Sequence, residues 1–566
     1  MRIGILFTLI LFFQSNVFSQ SNWMWGKESI TNRAIVSSLG VDNNGDLVSI
    51  GAYDNYFEFQ GFSVSNNANN GGIYILKTDA LGNPIWLFDS ESHHYSFGVD
   101  LDFDSQNNIF IGGMYVDTLI YDSLIITSAD NSWNYEPFIF KLDESGNLVW
   151  FKIAVGIGNN DYVSSLTVDD NGDVIVAYNF SSPILEIDTI SIPVQGLVSS
   201  VLVKYDNSGN VIWVKNPVFS SNHFVIRDVS TDPDNNIYIT GWWPGDSLSF
   251  DSISTYSTNM ISGSMFIAKF DSAGNTIFLN SFFGGVNDGI YGTEIEVDSD
   301  HNIYVTGSFF YNAYFDSIHL FAPDASAFFL KLDSIGETIW AYNPGGMNYT
   351  IGYEIGIDET KSNDMIYFFG GVQDPQHDNL ILETDTYLAN MNTTDPPFIL
   401  LYDEFGTFIC SDILPSGGNN NSLTSNNRFA LDKNGGKVYL FLNGTGGTPI
   451  ELWNDTLTSL GTNNFPYLVA FSCDFISGIQ EELEGNVKLF PNPASSYFNY
   501  EIRNESFQNG ELNIVDLNGK LIKKTQVAQN DDNMLIDVSD IENGIYILQH
   551  VLNNRILHNE KLVIIK

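Results

Sequence analysis

Residues 292–340 read GTEIEVDSDHNIYVTGSFFYNAYFDSIHLFAPDASAFFLKLDSIGETIW, and they contain two hairpin patterns. In the first, EIEVD and IYVTG flank a polar turn at His301, and in the second, FFLKLD and TIW flank a Ser-Ile-Gly turn. Short runs of β-branched and aromatic residues between Asp, Asn, Gly and Ser turns are typical of antiparallel strands. This stretch therefore predicts one four-stranded antiparallel sheet.

The same pattern recurs along the chain at steps of 60 to 74 residues. The Asp of the first hairpin recurs at Asp42, Asp104, Asp169, Asp232, Asp298, Asp358 and Asp432. The Asp of the second recurs at Asp79, Asp143, Asp206, Asp271, Asp333 and Asp403, with Lys two residues before it in the best copies and Trp86, Trp150, Trp213, Phe278, Trp340 or Cys410 seven residues after it. One small sheet per unit predicts a β-propeller, the alternative being a solenoid, whose repeats are usually shorter.

The two ends of the array predict that the ring is closed. The seventh unit has no Trp strand of its own, whereas Trp23 precedes Asp42 by the 19 residues that separate Trp150 from Asp169. We therefore expect the segment around Trp23 to complete the last blade, which leaves no long sheet edge exposed. The predicted fold is all-β, with seven four-stranded blades.

Length and charge exclude several classes of protein. A chain of 566 residues is too long for one ordinary core, so a repeat array or several domains are expected. The net charge of −45 repels phosphate backbones and anionic lipid, which argues against nucleic-acid binding. A hydrophobic content of 43% is too high for a disordered acidic chain, so the chain is expected to fold.

The N-terminus predicts export. Residues 1–19 combine a basic start at Arg2 with an apolar run over residues 3–13, which is typical of a signal peptide cleaved before Gln20. The run is shorter than the ~20 residues of a membrane span. No later segment is apolar enough to span, so we expect a mature chain without a transmembrane segment.

The repeat units resemble bacterial seven-bladed β-propeller repeats, of the form Val-Asp-x-x-Gly-Asn followed by Lys-x-Asp-x-x-Gly-x-x-x-Trp. The resemblance supports a propeller domain over residues 20–480. It implies a fold and no particular activity, because propellers of this kind have no single function.

The last segment has a different composition. After an acidic linker at residues 481–485, residues 486–566 hold eight of the 23 basic residues and seven short strand patterns, which predict a small Ig-like β-sandwich. Its phrases LFPNPA, IVDLNGK, GIYIL and KLVIIK, in this order, resemble the type A sorting domain of the type IX (Por) secretion system of Bacteroidetes. The positions that carry the resemblance as a sorting signal are Pro491, Asn492, Pro493, Gly519, Lys520, Gly544, Tyr546 and Lys561.

This second resemblance has consequences for partners and location. It implies that the tail engages the type IX secretion machinery, that the folded chain passes from the periplasm through the outer membrane, and that the tail is then removed. We therefore expect a protein that is secreted or held at the outer-membrane surface.

Several polar motifs have two interpretations. The Asp- and Asn-rich first-hairpin turns could supply oxygen ligands to calcium, but tight turns need the same residues, and the bidentate Glu of a calcium loop is missing. A recurring Asp-Ser/Thr-aliphatic motif predicts turns of an outer hairpin, and it also resembles the O-glycosylation motif of Bacteroidetes. Its copies begin at Asp122, Asp188, Asp251, Asp316 and Asp455. Cys410 and Cys473 could form a disulfide in an exported protein or remain two thiols.

The activity is not predicted by any motif. We see no nucleophile elbow, zinc-binding His pair or phosphate loop, so we identify no catalytic or cofactor-binding residues. The favoured function is a binding or structural module with a glycan or protein ligand at the propeller loops. The alternative is a polysaccharide-active glycosidase or lyase. Convergent carboxylates with shifted pKa values would favour the enzyme, and an aromatic loop surface would favour binding.

Overall fold

The structure is a computed structural model. It describes residues 20–31, 33–66, 71–92, 96–128, 133–257, 262–285, 288–344, 349–360, 363–373, 380–382, 385–387, 397–413, 428–432, 437–445, 450–452, 455–457, 464–474, 487–490, 494–502, 510–515, 520–527, 533–541, 544–552, 555–564 and 566. The chain divides into two compact units, Ser21–Cys473 and a unit that includes Asp474–Lys566.

In the first unit, the described residues form seven antiparallel sheets of four strands each, here numbered in chain order with strands given from the inside outward. Sheet 1 consists of Ala34–Val41, Leu47–Tyr53, Gly72–Thr78 and Pro84–Ser92; sheet 2 of Ser96–Phe103, Ile109–Tyr115, Glu136–Leu142 and Leu148–Gly156; sheet 3 of Asp161–Val168, Val174–Phe180, Ser199–Tyr205 and Val211–Lys215. Sheet 4 consists of Val225–Thr231, Ile237–Trp243, Ser264–Phe270 and Thr276–Phe282; sheet 5 of Ile290–Val297, Ile303–Phe315, Ile318–Leu332 and Thr338–Tyr342; sheet 6 of Tyr349–Asp358, Met365–Gln373, Pro397–Asp403 and Phe408–Ile413. Sheet 7 consists of Arg428–Asp432, Lys437–Thr445, Asn464–Asp474 and Gln20–Thr31.

The sheets close into a ring. The first strands contact one another in succession from sheet 1 to sheet 7, and the first strand of sheet 7 contacts that of sheet 1. The hydrophobic clusters lie between neighbouring sheets: one of them joins Phe110 and Ile139 of sheet 2 to Val163 and Leu166 of sheet 3. This is the arrangement of a β-propeller, and it confirms the predicted fold class.

The closing strand comes from the N-terminal end of the unit, as predicted. The strand Gln20–Thr31 hydrogen-bonds with Asn464–Asp474 and completes sheet 7. The ring of Trp25 lies 6.1 Å from that of Tyr439 and packs against Gly82. The segment around Trp23 therefore completes the last sheet as expected, and Trp25 also connects it to sheet 1. The side chain of Trp23 lies outside the described residues.

Short outer hairpins extend the sheets, and those of sheets 1 to 3 pair with the outermost strand of the preceding sheet. The hairpin strands are Tyr56–Phe59 with Phe62–Ser65, Thr118–Tyr121 with Leu124–Thr127, Ile184–Ile187 with Ile190–Pro193, Ser247–Phe250 with Ile253–Tyr256, Leu380–Leu382 with Asp385–Tyr387, and Ile450–Leu452 with Asp455–Leu457. The first three pair with sheets 7, 1 and 2, and the fourth pairs with the short strand Val218–Phe219, which follows sheet 3. Each such pairing covers a strand edge that would otherwise be open.

The recurring first-hairpin Asp organises a tight turn. Asp42 Oδ1 accepts the backbone N–H of Asn44 at 2.9 Å and of Asp46 at 3.0 Å. Gly45, three residues after the Asp, has a φ of 81°, and the corresponding Asn107 and Gly172 have φ values of 60° and 77°. Gly and Asn adopt this left-handed conformation most readily, which explains their recurrence at this turn position.

Where the recurring Trp is present, in sheets 1, 2, 3 and 5, it connects its sheet to the next. Trp150 Nε1 donates a hydrogen bond of 2.9 Å to the carbonyl oxygen of Asn207, and a Cβ atom added at Gly209 would lie 3.3 Å from the Trp150 ring. Trp213 and Trp340 make the same type of bond to Ser272 and Glu404. The residues of the Lys–Asp–Gly–Trp pattern therefore stabilise the stacking of neighbouring sheets.

The second unit is the predicted small β-sandwich. One sheet has the order Val487–Phe490, Tyr497–Ile502, Asn533–Asp537, and the other Leu521–Val527, Gly510–Val515, Gly544–Leu552, Arg555–Ile564. Both sheets contribute to one core, which includes Phe498 and Ile536 from the first and Leu512, Leu548 and Leu562 from the second. The last strand begins at Arg555, six residues before the position that the sequence pattern indicated.

Candidate functional site

The described part of the tail places some of the expected sorting-signal residues on its strands. Gly544 begins the strand that pairs with the last strand, where it lies opposite Ile564. Tyr546 is half-buried against the sandwich core and lies opposite Leu562, and the backbone of Lys561 pairs with Ile547. Lys520 is exposed. Pro491, Asn492, Pro493 and Gly519 lie outside the described residues, as does the side chain of Lys561.

Of the two cysteines, only Cys410 has a described side chain. Cys410 is buried in the outer strand of sheet 6 and lies opposite Leu401, at the register position that Trp340 occupies opposite Lys331 in sheet 5. The side chain of Cys473 lies outside the described residues. The disulfide therefore remains a prediction.

The carboxylates of the first-hairpin turns are engaged by buried lysines. Lys77 Nζ lies 2.7 Å from Asp42 Oδ2, and Lys204 Nζ lies 2.7 Å from Asp169 Oδ2, with every one of these side chains at most 5% exposed. A calcium ion at these oxygens would compete with an ammonium group and with the turn's own N–H donors. Among the described residues, no group of three or more His, Cys, Asp or Glu side chains is arranged to hold a metal ion.

The Asp-Ser/Thr-aliphatic motif forms the tips of the outer hairpins, which is the structural interpretation of its sequence. In four copies the Asp has a φ of 50–52°: Asp122, Asp188, Asp251 and Asp316. Lys152 and Lys215, on the outer strands of sheets 2 and 3, pair with Asp188 and Asp251 of the following hairpins. The O-glycosylation interpretation remains untested, although the Ser or Thr at these four tips is exposed.

The inner strands carry a ring of polar side chains, which we call the central ring. It contains the residue four positions before each first-hairpin Asp: Ser38, Asp100, Ser165, Asp228, Glu294, Glu354 and Arg428. In sheets 1 to 6, the register between the first two strands shifts by one residue immediately before this position. Such a β-bulge interrupts the hydrogen bonds between the two strands, so the backbone N–H and C=O groups near it need other hydrogen-bond partners.

The central ring supplies those partners across sheet boundaries. Asp100 Oδ2 accepts the N–H of Leu166 in sheet 3 at 2.9 Å, and Asp228 Oδ2 accepts the N–H of Ile295 in sheet 5 at 2.8 Å. Ser165 Oγ donates to Asp228 Oδ1 at 2.7 Å. The carboxylates of Asp100 and Asp228 therefore each bind one sheet to the next.

Arg428 is the one cation of the central ring, and it pairs with Glu354. Arg428 Nε lies 3.4 Å from Glu354 Oε1, and Glu354 Oε2 accepts the N–H of Phe429 at 2.6 Å. The side chains of Glu354 and Arg428 are 16% and 21% exposed, so they keep a small accessible surface although protein surrounds them. The pair connects sheets 6 and 7.

Enclosure raises the pKa values of the central-ring carboxyls. Burial raises the pKa of Asp228 to about 8, and the negative charge of Asp100 adds to the increase. Burial, together with the charges of Asp228 and Glu354, raises the pKa of Glu294 well above its ordinary value. Burial likewise raises the pKa of Glu354, although Arg428 opposes the increase. Near neutral pH, some of these carboxyls are therefore protonated.

Stability of the propeller is expected to increase as the pH falls from about 9 to about 5. A carboxyl whose pKa is raised on folding binds more protons in the folded than in the unfolded state, so its charged form destabilises the fold above the raised pKa. For Asp228 this destabilisation is on the order of 2 kcal/mol, a discounted value because water reaches the central ring. Asp228→Asn should remove part of the pH dependence and raise the melting temperature at pH 9, as measured by calorimetry.

The control for this prediction is Asp170→Asn, which removes one charge from an exposed turn. It should leave the pH dependence unchanged. Below about pH 4 the sign reverses, because hydrogen bonds from Asn236 and Tyr238 hold the pKa of Asp232 below its ordinary value despite its burial, and protonation then breaks the turns. If Asp228→Asn and Asp170→Asn have the same pH profile, the central ring is not the origin of the effect.

A row of aromatic side chains lies at the strand ends opposite the Asp-centred turns. We call this end of the propeller the loop face. Four half-buried rings from sheets 4 and 5 and the segment before sheet 4 contact one another in sequence; we call them the aromatic row: His223, Trp242, Tyr291 and Phe310. Successive ring centroids lie 6.3, 5.4 and 6.3 Å apart, and the planes of Trp242 and Tyr291 meet at 71°. The loop face therefore has an aromatic surface, which sequence reasoning had named only as a possibility in principle.

The tail matches a known family. Residues 488–566 match the model of the secretion system C-terminal sorting domain, which confirms the resemblance to a type IX sorting domain. A domain of this family indicates secretion or localisation at the outer-membrane surface and contact with the type IX secretion machinery. In the described part of the chain, no helix is long and apolar enough to cross a membrane.

A curated relative is the uncharacterized WD repeat-containing protein L264 of Acanthamoeba polyphaga mimivirus. The two are 28% identical over an alignment of 274 residues, which covers 42% of this chain and 19% of the viral protein. The chain thus spans about a fifth of that relative's length. This similarity fits a repeat propeller.

Two solved structures share weak similarity with the chain. A PL25 ulvan lyase has a TM-score of 0.35 at 11% identity, over 75% of this chain and 92% of the lyase. The GH32 β-fructofuranosidase BmSUC1 of Bombyx mori has a TM-score of 0.26 at 12% identity, over 71% of this chain and 86% of that enzyme. At these scores, neither similarity bears on the activity of this chain.

Proposed function

We propose that the chain is an extracellular binding protein, in which a seven-bladed propeller presents a ligand surface and the C-terminal domain directs export. The single observation that carries this proposal is the sorting domain at residues 488–566, which is attached to a closed array of sheets. We further propose that the domain is of type A, that its host belongs to the Bacteroidetes, and that the tail is removed after passage.

Binding is favoured over catalysis by how the two candidate surfaces are built. In the central ring, Asp100, Asp228 and Glu354 accept backbone N–H groups from neighbouring sheets, so their position has a structural explanation. The aromatic row lies on the loop face, where the connections between strands offer a surface to a glycan or protein ligand. The ligand is therefore expected at the loop face.

A second candidate function is polysaccharide cleavage, and one observation favours it. Burial and the charge of Asp100 raise the pKa of Asp228, and burial and the charge of Asp228 raise the pKa of Glu294. A carboxylic acid that stays protonated near neutral pH can act as a general acid. If this candidate is correct, Asp228→Asn and Glu294→Gln should abolish turnover while leaving binding at the loop face intact.

One experiment separates these functions. The purified, secreted chain is applied to a glycan array, and the same polysaccharides are assayed for new reducing ends and for unsaturated products. We expect retention on the array without either product. New reducing ends or unsaturated products would identify a hydrolase or a lyase and contradict the binding proposal.

A further inference from the structure

We infer that the aromatic row is a binding site for an uncharged oligosaccharide. This inference rests on the proposed binding function and assigns to it a place and a class of ligand. The rings of Trp242 and Tyr291 come from sheets 4 and 5, so the row crosses from one sheet to the next. The planes of His223 and Trp242 lie 18° apart, whereas Tyr291 meets Trp242 and Phe310 edge to face at 71° and 85°, so the row offers both ring faces and ring edges to an extended ligand.

A strained residue lies at one end of the aromatic row. Tyr311 has a φ of 57° and is 48% exposed, at the point where the register between the second and third strands of sheet 5 shifts. A left-handed conformation is uncommon for a bulky residue and costs about 1–3 kcal/mol. The strain places a second, largely accessible aromatic side chain directly after Phe310.

Polar contacts hold this bulge in place. Asn312 Nδ2 donates to Asp288 Oδ2 at 2.7 Å, and Asn312 Oδ1 lies 3.0 Å from His319 Nε2. The His319 ring stacks on Tyr314 with a centroid distance of 4.5 Å. Carboxylate, amide and imidazole groups thus lie at the bulge that follows Phe310, and groups of these kinds orient hydroxyls in saccharide sites.

Two glycines lie close to the rings of the aromatic row. A Cβ atom at Gly263 would lie 3.2 Å from the Trp242 ring and 3.5 Å from the Tyr291 ring. A Cβ atom at Gly289 would lie 2.6 Å from the Tyr291 hydroxyl, which itself donates a hydrogen bond to the carbonyl oxygen of Ser262. A side chain at either position would crowd these rings, so glycine lets the backbone lie close to them without disturbing their arrangement.

The chemistry of the site points to an uncharged saccharide. The electron-rich faces of aromatic rings attract the weakly positive C–H faces of sugar rings, and each unit of an oligosaccharide repeats that face. With a net charge of −45, the chain repels uronate and sulfate polymers as well as nucleic acid. An exported protein meets polysaccharides directly, and its loop face can engage them without unfolding.

The test uses the purified, secreted chain in native gels that contain either xylan, galactomannan or laminarin as uncharged probes, or alginate as the anionic probe. At least one uncharged probe should retard the chain, and alginate should not. Trp242→Ala should raise the dissociation constant about tenfold, because it removes the largest aromatic side chain of the aromatic row. Tyr311→Ala, at the strained and exposed position, should also weaken binding without unfolding the propeller.

Trp133→Ala is the matched control, because Trp133 is 73% exposed and belongs to the loop before the third strand of sheet 2. It should bind as the unmodified chain does, and melting curves should show that all variants are folded. Retardation by none of the uncharged probes overturns the inference, as does unchanged binding in both Trp242→Ala and Tyr311→Ala. Absence of the chain from the medium and cell surface, or turnover of a probe, would instead contradict the proposed function.

Discussion

Deletion of residues 21–30 is expected to lower the melting temperature of the propeller by about 10 °C or more. These residues form most of the strand that completes sheet 7, and this strand also pairs with the outer hairpin strand Tyr56–Phe59. Its loss would expose the edge of Asn464–Asp474 and uncover Phe57 and Phe59, both fully buried. Calorimetry on the deleted and complete chains measures the difference.

The matched control is a substitution on the same strand. Met24 is 50% exposed, so Met24→Ser should leave the melting temperature nearly unchanged, whereas Trp25→Ala should lower it because Trp25 packs on Tyr439 and Gly82. A deleted chain that melts as the complete chain does would contradict closure by this strand.

Truncation after Glu560 is expected to abolish export and leave a folded propeller in the periplasm. The missing residues include Leu562 and Ile564, which are at most 1% exposed in the core of the tail, and the bridge between Ala494 and Ile564. Their loss removes both the recognisable end of the sorting domain and part of its sandwich. In a host with a type IX secretion system, fractionation and immunoblotting measure the two locations.

Lys561→Ala distinguishes the loss of a sorting residue from the loss of the sandwich fold. It changes one expected sorting residue and keeps Leu562 and Ile564. If recognition depends on the side chain, this variant should also accumulate in the periplasm, and if it depends on the fold alone, export should continue. Limited proteolysis of the periplasmic fraction checks that the propeller is intact. Normal amounts of the truncated chain outside the cell would refute the sorting interpretation.

The repeat, the turns and the sandwich could be predicted because their signals are local. An Asp at a turn, with Gly or Asn three residues later, determines the turn conformation, as Gly45 and Asn107 illustrate. The reason for the recurring Lys and Trp was not predictable, because their partners come from elsewhere: Lys77 pairs with Asp42, 35 residues away, and Trp150 bonds Asn207 of the next sheet.

The central ring and the aromatic row were missed for different physical reasons. The central ring did have a signal, because a polar residue stands four positions before every first-hairpin Asp, but a polar strand position is ordinarily a solvated one. The aromatic row has no spacing signal: Trp242 and Tyr291 are brought together only when sheets 4 and 5 stack. The pairing of the outer hairpins with the preceding sheet likewise depends on how the sheets are arranged around the propeller, and no local sequence pattern predicts it.

Closure of sheet 7 also determines the order in which the protein can fold. The N-terminal strand must wait for Asn464–Asp474, and the bond from Arg428 to the carbonyl oxygen of Ser37 joins residues 391 positions apart. Contacts this distant form late, because the entropy of the whole intervening loop is lost at once. Until then the array is an open arc with two unpaired strand edges, which is the state most prone to aggregation. A newly synthesised chain is therefore most vulnerable between the emergence of its first strand and the folding of its last sheet, before it crosses the outer membrane.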